Sequence, residues 1–145
     1  MYARILVALE NGRADEALLP HVQELASRLG SSLLLVHVAD GFAARHFAAL
    51  KLAESDEIRA DRAYLDQRAA DLRLAGLIVD VHLAMGEPAT EILRVAADHA
   101  CDLIAMGTHG HRFIADLVHG STISEVRHKA AVPVLLVQGN PRQRS

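Results

Sequence analysis

Apolar positions along the chain fall into short runs and helical stripes that alternate. Arg4 to Leu9 reads RILVAL, an apolar run without alternation, as expected of a strand covered on both faces. Glu10, Asn11 and Gly12 break it as a turn. Ala14, Ala17, Leu18, Val22, Leu25, Ala26 and Leu29 then recur every three or four residues, one face of a helix that Gly30 ends. Pro20 lies inside that stripe and predicts a bend or a new turn there. Ser32 to Val38, SLLLVHV, predicts a second strand, in which His37 reads as a packed or hydrogen-bonded residue rather than a ligand.

The next stretch predicts two helical pieces, Phe42 to Leu52 and Asp56 to Leu74, parted at Glu54, Ser55 and Asp56. Ile58, Leu65, Ala69 and Leu72 would form the buried face of the second. Phe42 and Phe47 are expected in ordinary core packing. Leu77 to Ala84 alternates through Asp80 and His82, as an edge strand does. Pro88 suits the first turn of a helix carrying Ala89, Ile92, Leu93, Ala96 and Ala97, and Glu87 suits its dipole. Asp102 to Met106 predicts a fourth strand ending at Gly107, Ser121 to Lys129 a short helix, and Pro133 to Val137 a fifth strand. Strands joined by helices imply parallel neighbours and right-handed crossovers. The predicted fold is α/β, a doubly wound five-stranded parallel sheet, Rossmann-like, with helices on both faces.

In such a sheet, ligands sit beyond the carboxyl ends of the strands, where their order reverses. The richest chemistry falls there, in Cys101 to Thr122. Gly107, two residues, Gly110, nine residues, then Gly120, Ser121 and Thr122 would form a glycine loop opening a helix. Unpaired amides at a helix start and hydroxyls beside them suit the phosphates of a nucleotide. Glycines also end strands, and Ser-Thr pairs cap helices in proteins that bind nothing, so the motif alone leaves both readings open.

Composition narrows the classes. The chain has 145 residues, 51% of them hydrophobic and 3% aromatic, so the core is built from Ala, Val, Leu and Ile. That length fits one domain, with an ordered core over residues 3–138 and a flexible tail over 139–145. A net charge of -3 offers no broad attraction to nucleic acid or anionic lipid. No apolar segment reaches the roughly 18 residues a membrane span needs, and MYARILVAL leads straight into a strand rather than a signal peptide, so a cytoplasmic protein is expected. The single cysteine, Cys101, excludes an internal disulfide and reads as a small buried side chain.

With these residues in place, the chain resembles the universal stress protein family over nearly its full length. The spacing of Gly107, Gly110, Gly120 and Ser121 is the pattern of the family's ATP-binding branch. ILVAL near the start, GEPA at Gly86 to Ala89, MGTHG at Met106 to Gly110 and VPVLLV at Val132 to Val137 add to it. The resemblance implies an adenine nucleotide, ATP or AMP; Mg²⁺ bridging triphosphate oxygens is expected from the ion's own chemistry, since it needs few protein ligands beyond the phosphates. Ala8, Leu9 and Glu10 would lie beside the adenosine, and Val38 would offer backbone contacts to the adenine. Met106, Gly107, His109 and Gly110 would approach the ribose and first phosphates, and Gly120, Ser121 and Thr122 would hold the phosphate tail. It also implies a homodimer through Pro133 to Val137. Glu10-Asn11-Gly12 departs from the Asp-Gly-Ser of many nucleotide-binding members, which predicts weakened or altered nucleotide choice rather than lost binding.

The function expected on this basis is a stress-response or signalling regulator with no catalytic residue. The alternatives are a weak ATPase, self-phosphorylation at Ser121 or Thr122, and a structural dimer with an empty pocket. The chain lacks the Gly-Lys-Ser/Thr ending of the common phosphate loop. Arg112 could supply charge, and Asp116 is the nearest carboxylate for a water. His109, His111 and His119 crowd the loop, but their spacing is not that of a metal motif.

Overall fold

The structure, a computed structural model, describes residues 1–40, 47–108 and 114–139, and over 47–55 and 114–120 it describes the helix path alone. In chain order the described elements are β1 (Arg4–Ala8), α1 (Asp15–Leu29), β2 (Ser32–Asp40), α2 (Phe47–Leu74), β3 (Val79–Gly86), α3 (Pro88–Asp98), β4 (Leu103–Thr108), α4 (Ile114–Lys129) and β5 (Val134–Gln138). The strands form one parallel sheet of five in the order β3-β2-β1-β4-β5. The α/β, doubly wound architecture expected from the sequence is the one observed.

Both faces of β1 are sealed because its run does not alternate. Ile5, Val7 and Leu9 pack with Leu18, Val22 and Ala26 of α1 and Leu65, Ala69 and Leu72 of α2. Leu6 and Ala8 face the other way, onto Ala89, Ile92, Val95 and Ala96 of α3 and Val126 of α4. Burying a side chain the size of leucine contributes about 2 kcal/mol. Ile5, Leu6, Val7, Leu33 and Leu35 are each fully buried, so the central strands carry much of that gain.

The helix ends follow local rules. Gly30 closes α1 in the left-handed region at φ 72°, and its N–H donates to the Ala26 carbonyl at 2.8 Å. α1 continues through Pro20 as one helix, with the one backbone donor that the proline lacks missing from it. Glu87 caps α3 by accepting from the amides of Ala89 and Thr90, both at 3.0 Å. Burial pushes the Glu87 carboxyl up, but the Thr90 and Ala89 amides outweigh it and hold it below its ordinary value. The cap is thus a specific pair of hydrogen bonds as well as a favourable charge. Cys101 is buried, and burial pushes its thiol up.

Several boundaries differ from the sequence expectation. α2 is one helix from Phe47 to Leu74, unbroken at Glu54 to Asp56, because no glycine or proline there forbids the helix. Phe42 lies outside the described residues. β4 does not turn at Gly107 but runs on to Thr108, with Gly107 opposite Val137 and Thr108 opposite Gln138. α4 starts at Ile114 rather than Ser121, since the polar Gly-Ser-Thr triplet continues a helix already begun. β3 is an edge strand as its alternation suggested, and Asp80 on it accepts an ion pair from Arg4 at 2.8 Å. The Gly139 N–H donates to the Thr108 carbonyl at 3.0 Å, so the first residue of the expected tail is held, while 140–145 lie outside the described residues. Among the described residues no helix is long and apolar enough to cross a membrane.

Candidate functional site

Strand order reverses on either side of β1, so the crevice at the carboxyl ends of β1 and β4 is the natural seat for a ligand. A cavity of about 340 Å³ opens there. Its floor is a row of register partners on one face of the sheet, Val36, Ala8 and Met106. Pro88 and Ile92 of α3 and Thr122 and Ile123 of α4 form its sides, and Leu9, Glu10, His37, Val38 and Gly107 form its rim. An apolar slot with main-chain groups at its edge suits a flat heterocycle.

Those main-chain groups follow from strand geometry. The Ser32 N–H donates to Ala3 at 2.9 Å and the Val36 carbonyl accepts from Leu9 at 2.8 Å, so even-numbered residues of β2 face β1. Pairing of the two strands ends at Ala8 and Val36. The N–H and C=O of Val38 therefore point toward the space where β1 would have continued, which is the cavity.

Side chains turn β1 away at this point. Asp15, 2% exposed, accepts from the amides of Glu10 and Asn11 at 3.0 and 2.9 Å and from the Tyr64 hydroxyl at 2.6 Å. Burial, and then the hydrogen bond to Asp15, push the Tyr64 phenol up. Asn11 takes the left-handed conformation at φ 59°, and its Nδ2 donates to Asp61 at 3.2 Å. The His37 Nδ1–H donates to the Leu9 carbonyl at 2.9 Å, and Nε2 lies 3.3 Å from the Asp61 carboxylate. The hydrogen-bonding role expected of His37 is the one found.

Gly107 is glycine for a reason other than a turn. Its backbone is extended, but a Cβ there would lie 2.7 Å from the Ala14 carbonyl oxygen, so α1 can begin this close to β4 only beside a glycine.

Of the expected site residues, the structure gathers Ala8, Leu9, Glu10, Val38, Met106, Gly107 and Thr122 around this cavity. Ser121 is exposed and is not part of the wall. Gly120, Ser121 and Thr122 lie inside α4 rather than at its first turn, so their amides are not the open donors of a helix start. His109, Gly110, His111 and Arg112 lie outside the described residues, and Asp116 and His119 fall on the part of α4 described as helix path alone. Sequence reasoning missed Val36, Pro88, Ile92 and Ile123 as wall residues, and Asp15, Asp61 and Tyr64 as supports. The signal for Asp15 was available: an acid three residues beyond an Asn-Gly pair is placed to bind the amides of that turn.

The sequence model of the universal stress protein family matches residues 1–138. Universal stress protein MJ0577 of Methanocaldococcus jannaschii is 25% identical over 95% of this chain and 96% of its own length. Its solved structure superposes with a TM-score of 0.85 over 97% of this chain and 99% of that one, at 25% identity. Universal stress protein Slr1230 of Synechocystis is 44% identical over 64 residues, which cover 44% of this chain and 22% of that protein. The universal stress protein of Archaeoglobus fulgidus, solved in complex with dAMP, has the same fold, with a TM-score of 0.71 at 24% identity over 94% of this chain and 98% of that one. A family match over residues 1–138 decides kinship: the chain belongs to the universal stress protein family.

Proposed function

We propose that the chain binds an adenine nucleotide, ATP or AMP, in the cavity at the ends of β1 and β4, and acts as a nucleotide-responsive regulator rather than as an efficient catalyst. The observation that carries this is the N–H and C=O of Val38 directed over an apolar slot floored by Ala8, Val36 and Met106. Adenine presents a ring-nitrogen acceptor beside an amino donor, which one residue's N–H and C=O can pair. Guanine presents the reverse order along that edge. The dAMP bound to the Archaeoglobus fulgidus protein of the same fold supports the choice of base. Pro88, Ile92 and Ile123 enclose the ring, Glu10 reaches toward the ribose, and the phosphates leave past Gly107 at the carboxyl end of β4. Mg²⁺ would sit on the phosphate oxygens and ask little of the protein.

Calorimetric titration tests the proposal directly. ATP and AMP are expected to bind, and GTP to bind about tenfold more weakly, the effect of one mismatched hydrogen-bond pair. No heat with any of the three at about 1 mM, equivalent to binding weaker than about 4 kcal/mol, would falsify it.

A homodimer through β5 is the second part of the proposal. β5 is a sheet edge, and Leu136 on it is 37% exposed, an apolar strand that needs cover. Sedimentation should find a dimer for the parent chain and a monomer for Leu136→Lys; a monomeric parent overturns the idea.

A further inference from the structure

The ladder between β1 and β2 is interrupted by side chains, and the interruption has a specific author. The next rung after Leu9 N–H to Val36 would join the Val38 N–H to the Leu9 carbonyl. That carbonyl is taken instead by the His37 Nδ1–H at 2.9 Å. Beyond it, the amides of Glu10 and Asn11 turn to Asp15. The His37 ring is fixed from its other side: Nε2 lies 3.3 Å from Asp61 on α2, and the two side chains are only 14% and 13% exposed. Asp61 also holds Nδ2 of Asn11 at 3.2 Å, so one carboxylate steadies both the ring and the turn.

We propose that His37, aimed by Asp61, is a positioning residue of the nucleotide site: by occupying the Leu9 carbonyl it keeps the Val38 N–H out of the β1 ladder and presents it to the base. The proposal rests on the adenine reading of the cavity. It makes His37 a determinant of base selectivity although the imidazole itself need not touch the base. Without the imidazole, the Leu9 carbonyl is the nearest acceptor for the Val38 amide, and the two strands zip one rung further across the mouth of the slot.

Amide hydrogen exchange at Val38, followed by NMR on the full chain without nucleotide, reads this directly. The parent and His37→Asn, whose side-chain amide can replace the Nδ1 donor, are expected to exchange quickly at Val38. In His37→Leu the same amide is expected to be protected about tenfold or more, as a ladder bond forms. ATP affinity should fall about tenfold in His37→Leu, with the preference for ATP over GTP lost, and should stay within about threefold in His37→Asn. A fold defect alone would not be rescued by asparagine and would not slow exchange at one residue. Should His37→Leu fail to fold, Asp61→Ala releases the ring and is expected to give partial protection of Val38. Equal Val38 exchange in the parent and in the folded variants, or a Val38 amide already protected in the parent, overturns the proposal. If the parent binds no nucleotide, the adenine reading falls, and the exchange rates alone still decide the role of His37.

Discussion

Replacing Asp15 by alanine is expected to cost about 3 kcal/mol of stability, near the upper end for a single substitution. The buried carboxylate takes three donors, the amides of Glu10 and Asn11 and the Tyr64 hydroxyl, at 3.0, 2.9 and 2.6 Å. Each bond to a charged acceptor contributes about 1.5–3 kcal/mol, and the losses overlap because water can reach the turn once the carboxylate is gone. Asp15→Asn keeps the volume but turns an NH₂ toward one of those donors, so it should lose about half as much. Urea unfolding at neutral pH measures both. A loss under about 0.5 kcal/mol for the alanine variant would mean that the turn holds itself, and that Asp15 follows its shape rather than setting it.

Gly107→Ala is the second large effect, expected at about 1–3 kcal/mol with a matching loss of ligand affinity. The added carbon would sit 2.7 Å from the Ala14 carbonyl oxygen and 3.1 Å from the Ala14 Cβ. The nearer obstacle is main chain, so Ala14→Gly should not rescue the variant, although it removes the other contact. Relief can come only by moving the start of α1 away from β4, and that start carries Asp15 and hence the Glu10 turn. Thermal unfolding of the two single variants and the double variant separates these cases. Full rescue by Ala14→Gly would place the strain in side-chain packing instead of backbone approach.

The strands and the sheet class were legible because unalternating apolar runs such as RILVA and LIAM have no other comfortable place than the middle of a covered sheet. Helix starts and stops with strong local chemistry, Glu87-Pro88 and Gly30, were legible for the same reason. Boundaries that depend on context were not. Glu54-Ser55-Asp56 is compatible with either a break or a helix, and only the continuous path of α2 chooses. Gly107 looked like a turn residue because glycine reports that something is close without saying what; here it is the neighbouring helix. In the site, one end of the cavity was readable from motif spacing, whereas the walls from Val36 on β2 and from Pro88 and Ile92 on α3 come from two elements that sequence distance keeps apart. The Asp61 to His37 contact bridges 24 positions between α2 and β2, and no periodicity carries that information.

The chain has no tryptophan and two tyrosines, and one of those, Tyr64, spends its hydroxyl on the carboxylate beneath the Glu10 turn. Near-ultraviolet absorbance is therefore an unlabelled optical probe of that corner. A rearrangement there on ligand entry would surface as a tyrosine difference band, with Tyr2 the one other tyrosine that contributes at those wavelengths.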